Sequence, residues 1–260
     1  MQASEARLAM SDQTTSWWTG AMTSDVSLES LGDAAPRRVR ELARLGPIAQ
    51  LRAGRLTRRL VQLFLGLALY GLTLGMMIRA TLGNAPWDVL HQGMAIHLPI
   101  SIGTAVIVMS VVVLLFWIPL RELPGLGTIL NSILVGLTAD LTLALLDAPD
   151  AMWQRILLMV GGIVLNALAT ALYIGSQFGP GPRDGLMTGL HRRTGISIRL
   201  VRTGLEVFVV AIGWLLGGVV GVGTVLYALA IGPLVQVMLP WCIVELPEPA
   251  EPVEEKVSDA

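Results

Sequence analysis

The chain has 260 residues, of which 53% are hydrophobic and only 14% are charged, and its formal net charge at pH 7 is −1. An ordinary soluble domain carries roughly 25% charged residues, so the composition excludes that class of protein. The 28 glycines favour close packing of helices in lipid. We therefore expect an all-α polytopic membrane protein whose surroundings are a lipid bilayer.

The two ends of the chain differ in composition from its middle. Residues 1–36 are polar and without periodicity, which predicts a disordered N-terminal extension. Residues 37–59 are rich in arginine and are predicted to form a basic cytoplasmic juxtamembrane segment that can bind anionic lipid. Residues 243–260 are predicted to be an acidic, disordered tail. Residues 60–150 and 151–242 are predicted to form two membrane repeats.

Six apolar segments are long enough to cross a bilayer, which takes about 20 helical residues. They cover residues 60–81, 100–120, 126–146, 155–175, 198–216 and 222–241. Arginines concentrate before the first segment and recur in the loop 176–197, whereas the loop 82–99 has neither lysine nor arginine. The positive-inside rule then predicts that the N- and C-termini are both cytoplasmic.

The two halves of the chain repeat one another at an offset of 96 residues. The motif Gly-x-x-Pro-x-Asp-x-Leu-x-x-Gly at 83–93 recurs at 179–189. Residues 66–140 aligned with 162–236 give 20 identities in 75 positions, and the identities gather at Gly, Pro and Asp. Each repeat has three spans, an odd number, so the second repeat enters from the opposite side of the membrane. We predict six transmembrane helices arranged as two inverted three-helix repeats.

The repeated motif predicts a short half-helix in each repeat. Pro86 and Pro182 suit the first turn of a helix, and the roughly 12 residues that follow are too few to cross the membrane. Two half-helices from opposite faces would bring their N-termini to one polar site near the midplane. Asp88 and Asp184 either cap these helices or bind a cation or carry a proton. Arg183 is either an anion ligand or a topology signal.

Charges inside the spans are a second signal, because lipid penalises them. Arg202 and Glu206 lie four residues apart in the fifth span, and we expect them to pair with each other. A structural ion pair and a substrate path explain these charges about equally well. The candidate pathway residues are Pro86, Asp88, Gly93, Pro182, Arg183, Asp184, Gly189, Arg202, Glu206 and Asp140.

Other polar residues near the first motif suggest lesser roles. Trp87 is expected to be an interfacial anchor, and His91 and His97 are expected to lie at the surface or at headgroup level. Two histidines without a third ligand do not predict a metal site. No catalytic residue, cofactor or enzyme activity is predicted, because the usual hydrolase, metalloprotease and phosphate-binding motifs are absent from the sequence. Membrane topology accounts for the basic cluster, so no nucleic-acid partner is expected.

Three segments resemble one known family. They are Gly-Asn-Ala-Pro-Trp-Asp-Val-Leu-His-Gln-Gly (83–93), Gly-Pro-Arg-Asp-Gly-Leu-Met-Thr-Gly-Leu (181–190) and Pro-Gly-Leu-Gly-Thr (124–128). In these motifs the chain is similar to the bacterial YczE/YitT-type integral membrane proteins, over about residues 57–242. The resemblance implies a multi-pass protein of the bacterial inner (plasma) membrane.

Two functions are compatible with the sequence. The inverted repeat with its paired half-helices favours a small-solute secondary transporter or permease with a site between the repeats. The cationic positions around the second motif favour an anionic or zwitterionic solute. The alternative is a non-transporting accessory or scaffold protein that supports another complex through its basic segment. Either function is compatible with a homo-oligomer.

Overall fold

The computed structural model describes residues 46–246. The expectations for residues 1–36, for residues 37–45 of the basic segment and for most of the acidic tail lie outside that range. Within that range the chain forms nine α-helices and no β-strand. The helices are α1 (Pro47–Arg52), α2 (Leu56–Ala80), α3 (Pro86–His97), α4 (Ile102–Leu120), α5 (Leu126–Leu145), α6 (Met152–Gly175), α7 (Pro182–Thr194), α8 (Ile198–Leu215) and α9 (Val222–Cys242). The predicted all-α class is confirmed for the described residues.

Five of these helices are long and apolar enough to cross a membrane, namely α2, α4, α5, α6 and α9. Their outer faces carry large exposed apolar side chains, such as Leu145 at 78% and Trp241 at 82% exposure, which suit contact with lipid. The helix predicted as the fifth span, α8, has 18 residues and includes the charged Arg202 and Glu206. It is not among the five, so a sixth span stays a prediction.

The helix boundaries follow the 96-residue offset. Four helices of the first half begin at residues 56, 86, 102 and 126, and four of the second half begin at 152, 182, 198 and 222. The same local signals start each pair. A proline opens both short helices, α3 and α7, and a serine at the N-cap of α4 and α8 accepts a hydrogen bond from the backbone amide three residues later. The short helices have 12 and 13 residues.

Helices α2 and α6 form the centre of the bundle and run antiparallel. Gly66, early in α2, lies against the last turns of α6, where an added Cβ would be 2.8 Å from the backbone nitrogen of Tyr173. Further along α2, Thr73 Oγ1 accepts a hydrogen bond of 2.8 Å from Asn166 Nδ2 of α6. Small residues at this crossing let the two backbones approach closely.

Each short helix packs against a long helix of the other half. Helix α3 packs on α8, and because Gly213 has no side chain the backbone of Leu90 can approach it closely. Helix α7 packs on α4, and because Gly185 has no side chain the ring of Trp117 can approach it closely. The turn before each short helix likewise packs against the other half of the chain. Gly127 N donates to Phe178 O (2.9 Å), and 96 residues on, Gly223 N donates to Leu82 O (2.8 Å).

The sharp turn before each short helix requires glycine. Gly83 and Gly179 have φ values of +113° and +100°, in a region that side chains strongly disfavour. An added Cβ on Gly83 would also lie 2.6 Å from Gly221 N. The Gly-x-Gly-Thr segments at 125–128 and 221–224 are therefore the surfaces on which the turns of the opposite half pack.

Candidate functional site

A cavity of about 50 Å³ lies where the first turns of α3 and α7 approach helices α2, α4, α5 and α6. That volume holds about four water-sized groups. Its polar lining comes from both halves of the chain and includes Tyr70, Asp88, His91, Ser110, Asn131, Tyr173, Arg183 and Asp184. Polar groups that converge in an otherwise apolar pocket are the usual mark of a small-molecule site.

Asp184, the third residue of α7, is held by a hydroxyl from α6. Tyr173 Oη donates a hydrogen bond of 2.5 Å to Asp184 Oδ2. Gly181 leaves room for this contact, because a Cβ there would lie 3.3 Å from Asp184 Oδ2 and 3.5 Å from Asn131 Nδ2. Side chains from α6 and α7 thus meet at this carboxylate, and Asn131 of α5 lines the same cavity.

Asp88, the counterpart of Asp184, pairs within its own helix. Its Oδ1 lies 3.2 Å from Nδ1 of His91, and both side chains are buried. In the described part of the chain, neither Asp88 nor Asp184 accepts a hydrogen bond from a backbone amide. Neither carboxylate therefore caps its helix, and both line the cavity.

The second residue of each short helix is a hydrogen-bond donor. Arg183 lies with its Cζ 5.3 Å from the centre of the Tyr70 ring, and within residues 46–246 it has no carboxylate partner. Its counterpart Trp87 is only 6% exposed, lines the cavity, and has an Nε1–H without an acceptor in the same range. Two donors that lack acceptors therefore lie at the same cavity.

Two expectations for the first motif are wrong. Trp87 is not an interfacial anchor, because it is buried in an apolar cluster with Leu90, Trp117 and Leu186. His91 is also buried, at 7% exposure, rather than at headgroup level. Both residues belong to the inward-facing start of α3, which packs inside the bundle. His97, at the far end of that helix, is exposed as expected.

Among the predicted site residues, Asp88, Pro182, Arg183 and Asp184 line the cavity. The expected pairing of Arg202 with Glu206 is confirmed, with Arg202 Nε 2.9 Å from Glu206 Oε1. The pair does not line the cavity, although Arg202 lies within electrostatic range of Asp184.

The remaining candidates have structural contacts outside the cavity. Asp140 Oδ1 accepts a hydrogen bond of 2.7 Å from Gly103 N, so this carboxylate caps the start of α4. Pro86 is the first residue of α3, and Gly93 and Gly189 are at helix contacts, against Leu216 and Glu122 respectively.

The candidate pathway residues do not include the aromatic and amide part of the site. Tyr70 and Asn131 line the cavity, and their counterparts at the 96-residue offset are Asn166 and Tyr227, which form a hydrogen bond of 3.1 Å to each other. The signal available in the sequence is that Tyr and Asn change places between the two repeats at these two aligned positions. It is visible in the self-alignment, but it falls outside the Gly, Pro and Asp identities.

The all-helical fold and its five apolar helices of spanning length indicate the class, a multi-pass membrane protein. The chain belongs to the DUF6198 family, described as a family of unknown function, whose model matches residues 57–240. It is 44% identical to an uncharacterized protein of Haemophilus influenzae over 177 residues, which are 68% of this chain and 81% of that protein. No solved structure matches the chain.

Two relatives come from Bacillus subtilis. The chain is 30% identical to the uncharacterized membrane protein YczE over 182 residues, which are 69% of this chain and 85% of YczE. It is 24% identical to the uncharacterized protein YyaS over 180 residues, which are 68% of this chain and 90% of YyaS. The expected resemblance to YczE-type membrane proteins is thereby confirmed.

Proposed function

We propose that the chain is a small-solute secondary transporter of the bacterial inner membrane, with its site between two inverted three-helix repeats. The cavity between the first turns of α3 and α7 carries the proposal. It combines two short helices at equivalent repeat positions with two carboxylates and a guanidinium. Discontinuous helices that meet near the midplane are a recurring way to build a transport site.

Reciprocal contacts between α2 and α6 support the inversion. Arg59, near the start of α2, donates to the backbone oxygens of Ser176 and Gln177, just beyond the end of α6. Its counterpart Arg155, near the start of α6, donates to Thr81 Oγ1, just beyond the end of α2. Equivalent helices therefore point in opposite directions, as two repeats of opposite topology require.

The sixth span in this proposal is α8, and two features of that helix support it. Its apolar side chains Leu200, Phe208 and Leu215 are 61–79% exposed, as a lipid-facing surface would be. Its counterpart α4 is an apolar helix of spanning length. With α8 as a span, both termini lie on the same side of the membrane, and the positive-inside rule makes that side cytoplasmic. Arg202 and Glu206 then neutralise each other inside the membrane.

The two halves differ at one helix pair, and the difference suits alternating access. Helix α5 packs closely on α4, where Gly136 meets the backbone of Gly103. The counterparts α8 and α9 make almost no contact with each other, and a Cβ on Gly232 would meet nothing within 4 Å. One pair is closed while its equivalent is open, which is the asymmetry that exchanges between the two states of an inverted-repeat transporter.

Transport by the reconstituted protein tests the proposal. We expect proteoliposomes to accumulate at least one solute from a panel of radiolabelled small carboxylates and amino acids under an imposed proton or sodium gradient. Replacing Asp88→Asn or Asp184→Asn should lower the rate about tenfold or more, because each change removes a charge from the cavity. Asp150→Asn, which alters an exposed loop carboxylate, is the matched control and should transport normally.

Failure of the transport assay would take one of two forms. Either no solute accumulates with the folded wild-type protein, or both cavity variants transport at the wild-type rate. The first outcome favours the accessory role, which assigns function to the basic segment. Arg59, the last residue of that segment, is 0% exposed and makes its hydrogen bonds inside the bundle, so it cannot contribute to such a contact.

A further inference from the structure

The cavity offers both free donors and free acceptors. Arg183 and the Nε1–H of Trp87 have no hydrogen-bond acceptor in the described chain. Asp88 and Asp184 each use one carboxylate oxygen, Oδ1 toward His91 and Oδ2 toward Tyr173. The second oxygen of each carboxylate accepts no hydrogen bond within residues 46–246. A solute that enters here therefore meets unpaired positive and negative groups together.

The charges of the lining nearly cancel. Asp88 and Asp184 contribute two negative charges, and Arg183 contributes one positive charge. The N-termini of α3 and α7 add about half a positive charge each. These contributions sum to about zero, and the adjacent Arg202–Glu206 pair is itself neutral. A solute with a net charge would leave that charge uncompensated in a buried site, which is costly.

We propose that this cavity binds a small zwitterion, a molecule that carries an amine and a carboxylate, as α-amino acids do. The solute's carboxylate accepts hydrogen bonds from Arg183 and Trp87, and its ammonium donates to the free oxygens of Asp88 and Asp184. A volume of about 50 Å³ limits the solute to a few heavy atoms. This inference rests on the proposed transport function and names its substrate class.

Three probes of similar size separate the charge types. Glycine carries both charges, acetate carries only the carboxylate, and ethylammonium carries only the amine. Isothermal titration calorimetry on the purified protein in detergent, with alanine and serine as further zwitterions, should show binding of at least one amino acid. We expect that amino acid to bind about tenfold or more tightly than acetate or ethylammonium, because each single-charge probe forgoes one set of charged hydrogen bonds.

Point variants assign the contacts within the cavity. Arg183→Gln and Asp184→Asn should each weaken amino-acid binding about tenfold or more, since each removes a charged hydrogen-bond partner. Trp87→Phe keeps the ring and removes only the N–H, so a loss of about two- to tenfold is expected. Trp153→Phe alters a tryptophan that is 66% exposed and should bind like the wild type.

The outcomes that overturn the inference are distinct from failure of the transport proposal. Acetate binding as tightly as the amino acids would make the cavity an anion site, and equal binding of ethylammonium would make it a cation site. Absence of binding by every amino acid tested would also overturn the zwitterion assignment. In each case the uptake assay decides separately whether the protein transports a solute of another class.

Discussion

Replacing Arg59 with glutamine should destabilise the protein by about 3–5 kcal/mol, or roughly 10 °C in the midpoint of thermal unfolding. The Arg59 side chain is fully buried and donates to the backbone oxygens of Gln50 (2.6 Å), Ser176 (2.9 Å) and Gln177 (2.9 Å). It also places its charge at the carboxyl end of α6, where a cation is favoured. Glutamine is shorter and uncharged, so its single amide group cannot replace the charged hydrogen bonds that the Arg59 guanidinium donates to three separate backbone oxygens.

Arg58→Gln is the control for this measurement, because Arg58 is the neighbouring residue and is exposed. We expect its unfolding midpoint in detergent to match that of the wild type. If Arg59→Gln also unfolds at the wild-type temperature, the hydrogen bonds of Arg59 do not hold α1 and the end of α6 against α2.

The second large effect is expected at a pair of glycines related by the repeat. At Gly136 an alanine Cβ would lie 2.5 Å from the backbone oxygen of Gly103 and 2.7 Å from Cγ1 of Ile107, so the helices would have to move apart. We expect Gly136→Ala to cost about 2–3 kcal/mol. At the counterpart Gly232, only its own chain neighbours and helix backbone lie within 4 Å of such a Cβ. The following Pro233 disfavours a Cβ here and offsets the gain in helix propensity, so Gly232→Ala should change stability by less than about 1 kcal/mol.

The two alanine variants are compared by their unfolding midpoints in the same detergent. Equal midpoints for Gly136→Ala and Gly232→Ala would contradict the difference between the packed α4–α5 pair and the separated α8–α9 pair. The comparison is sensitive because the two substitutions are chemically identical and occupy the same repeat position.

The helix boundaries could be predicted because local residues determine them. Proline is the first residue of both short helices, and serine is the N-cap of both α4 and α8. Because the same residues begin each pair, the helices start at positions 96 residues apart. The carboxylates of the cavity were also within reach, since Asp88 and Asp184 belong to the repeated motif.

Depth and long-range pairing could not be predicted in the same way. Hydropathy does not distinguish a turn at the membrane surface from one folded into the bundle. The sequence therefore predicts Trp87 at the interface and His91 at the surface or headgroup level, although both are buried. The positive-inside rule treats Arg59 as a topology signal, whereas its acceptors Ser176 and Gln177 lie more than 110 residues away in sequence. Asp140 likewise caps a helix that begins 38 residues before it.

The inverted topology is tested most directly by mapping which side of the membrane three loop positions face. Cys242→Ser removes the chain's one cysteine, and single cysteines are then introduced as Pro99→Cys, Gly195→Cys or Val220→Cys, all at exposed loop residues. Pro99 and Gly195 are equivalent positions after the two short helices. A membrane-impermeant maleimide applied to intact spheroplasts should label Pro99→Cys and Val220→Cys, and should label Gly195→Cys only after permeabilisation. Labelling of Pro99→Cys and Gly195→Cys from the same side would contradict the inverted repeat.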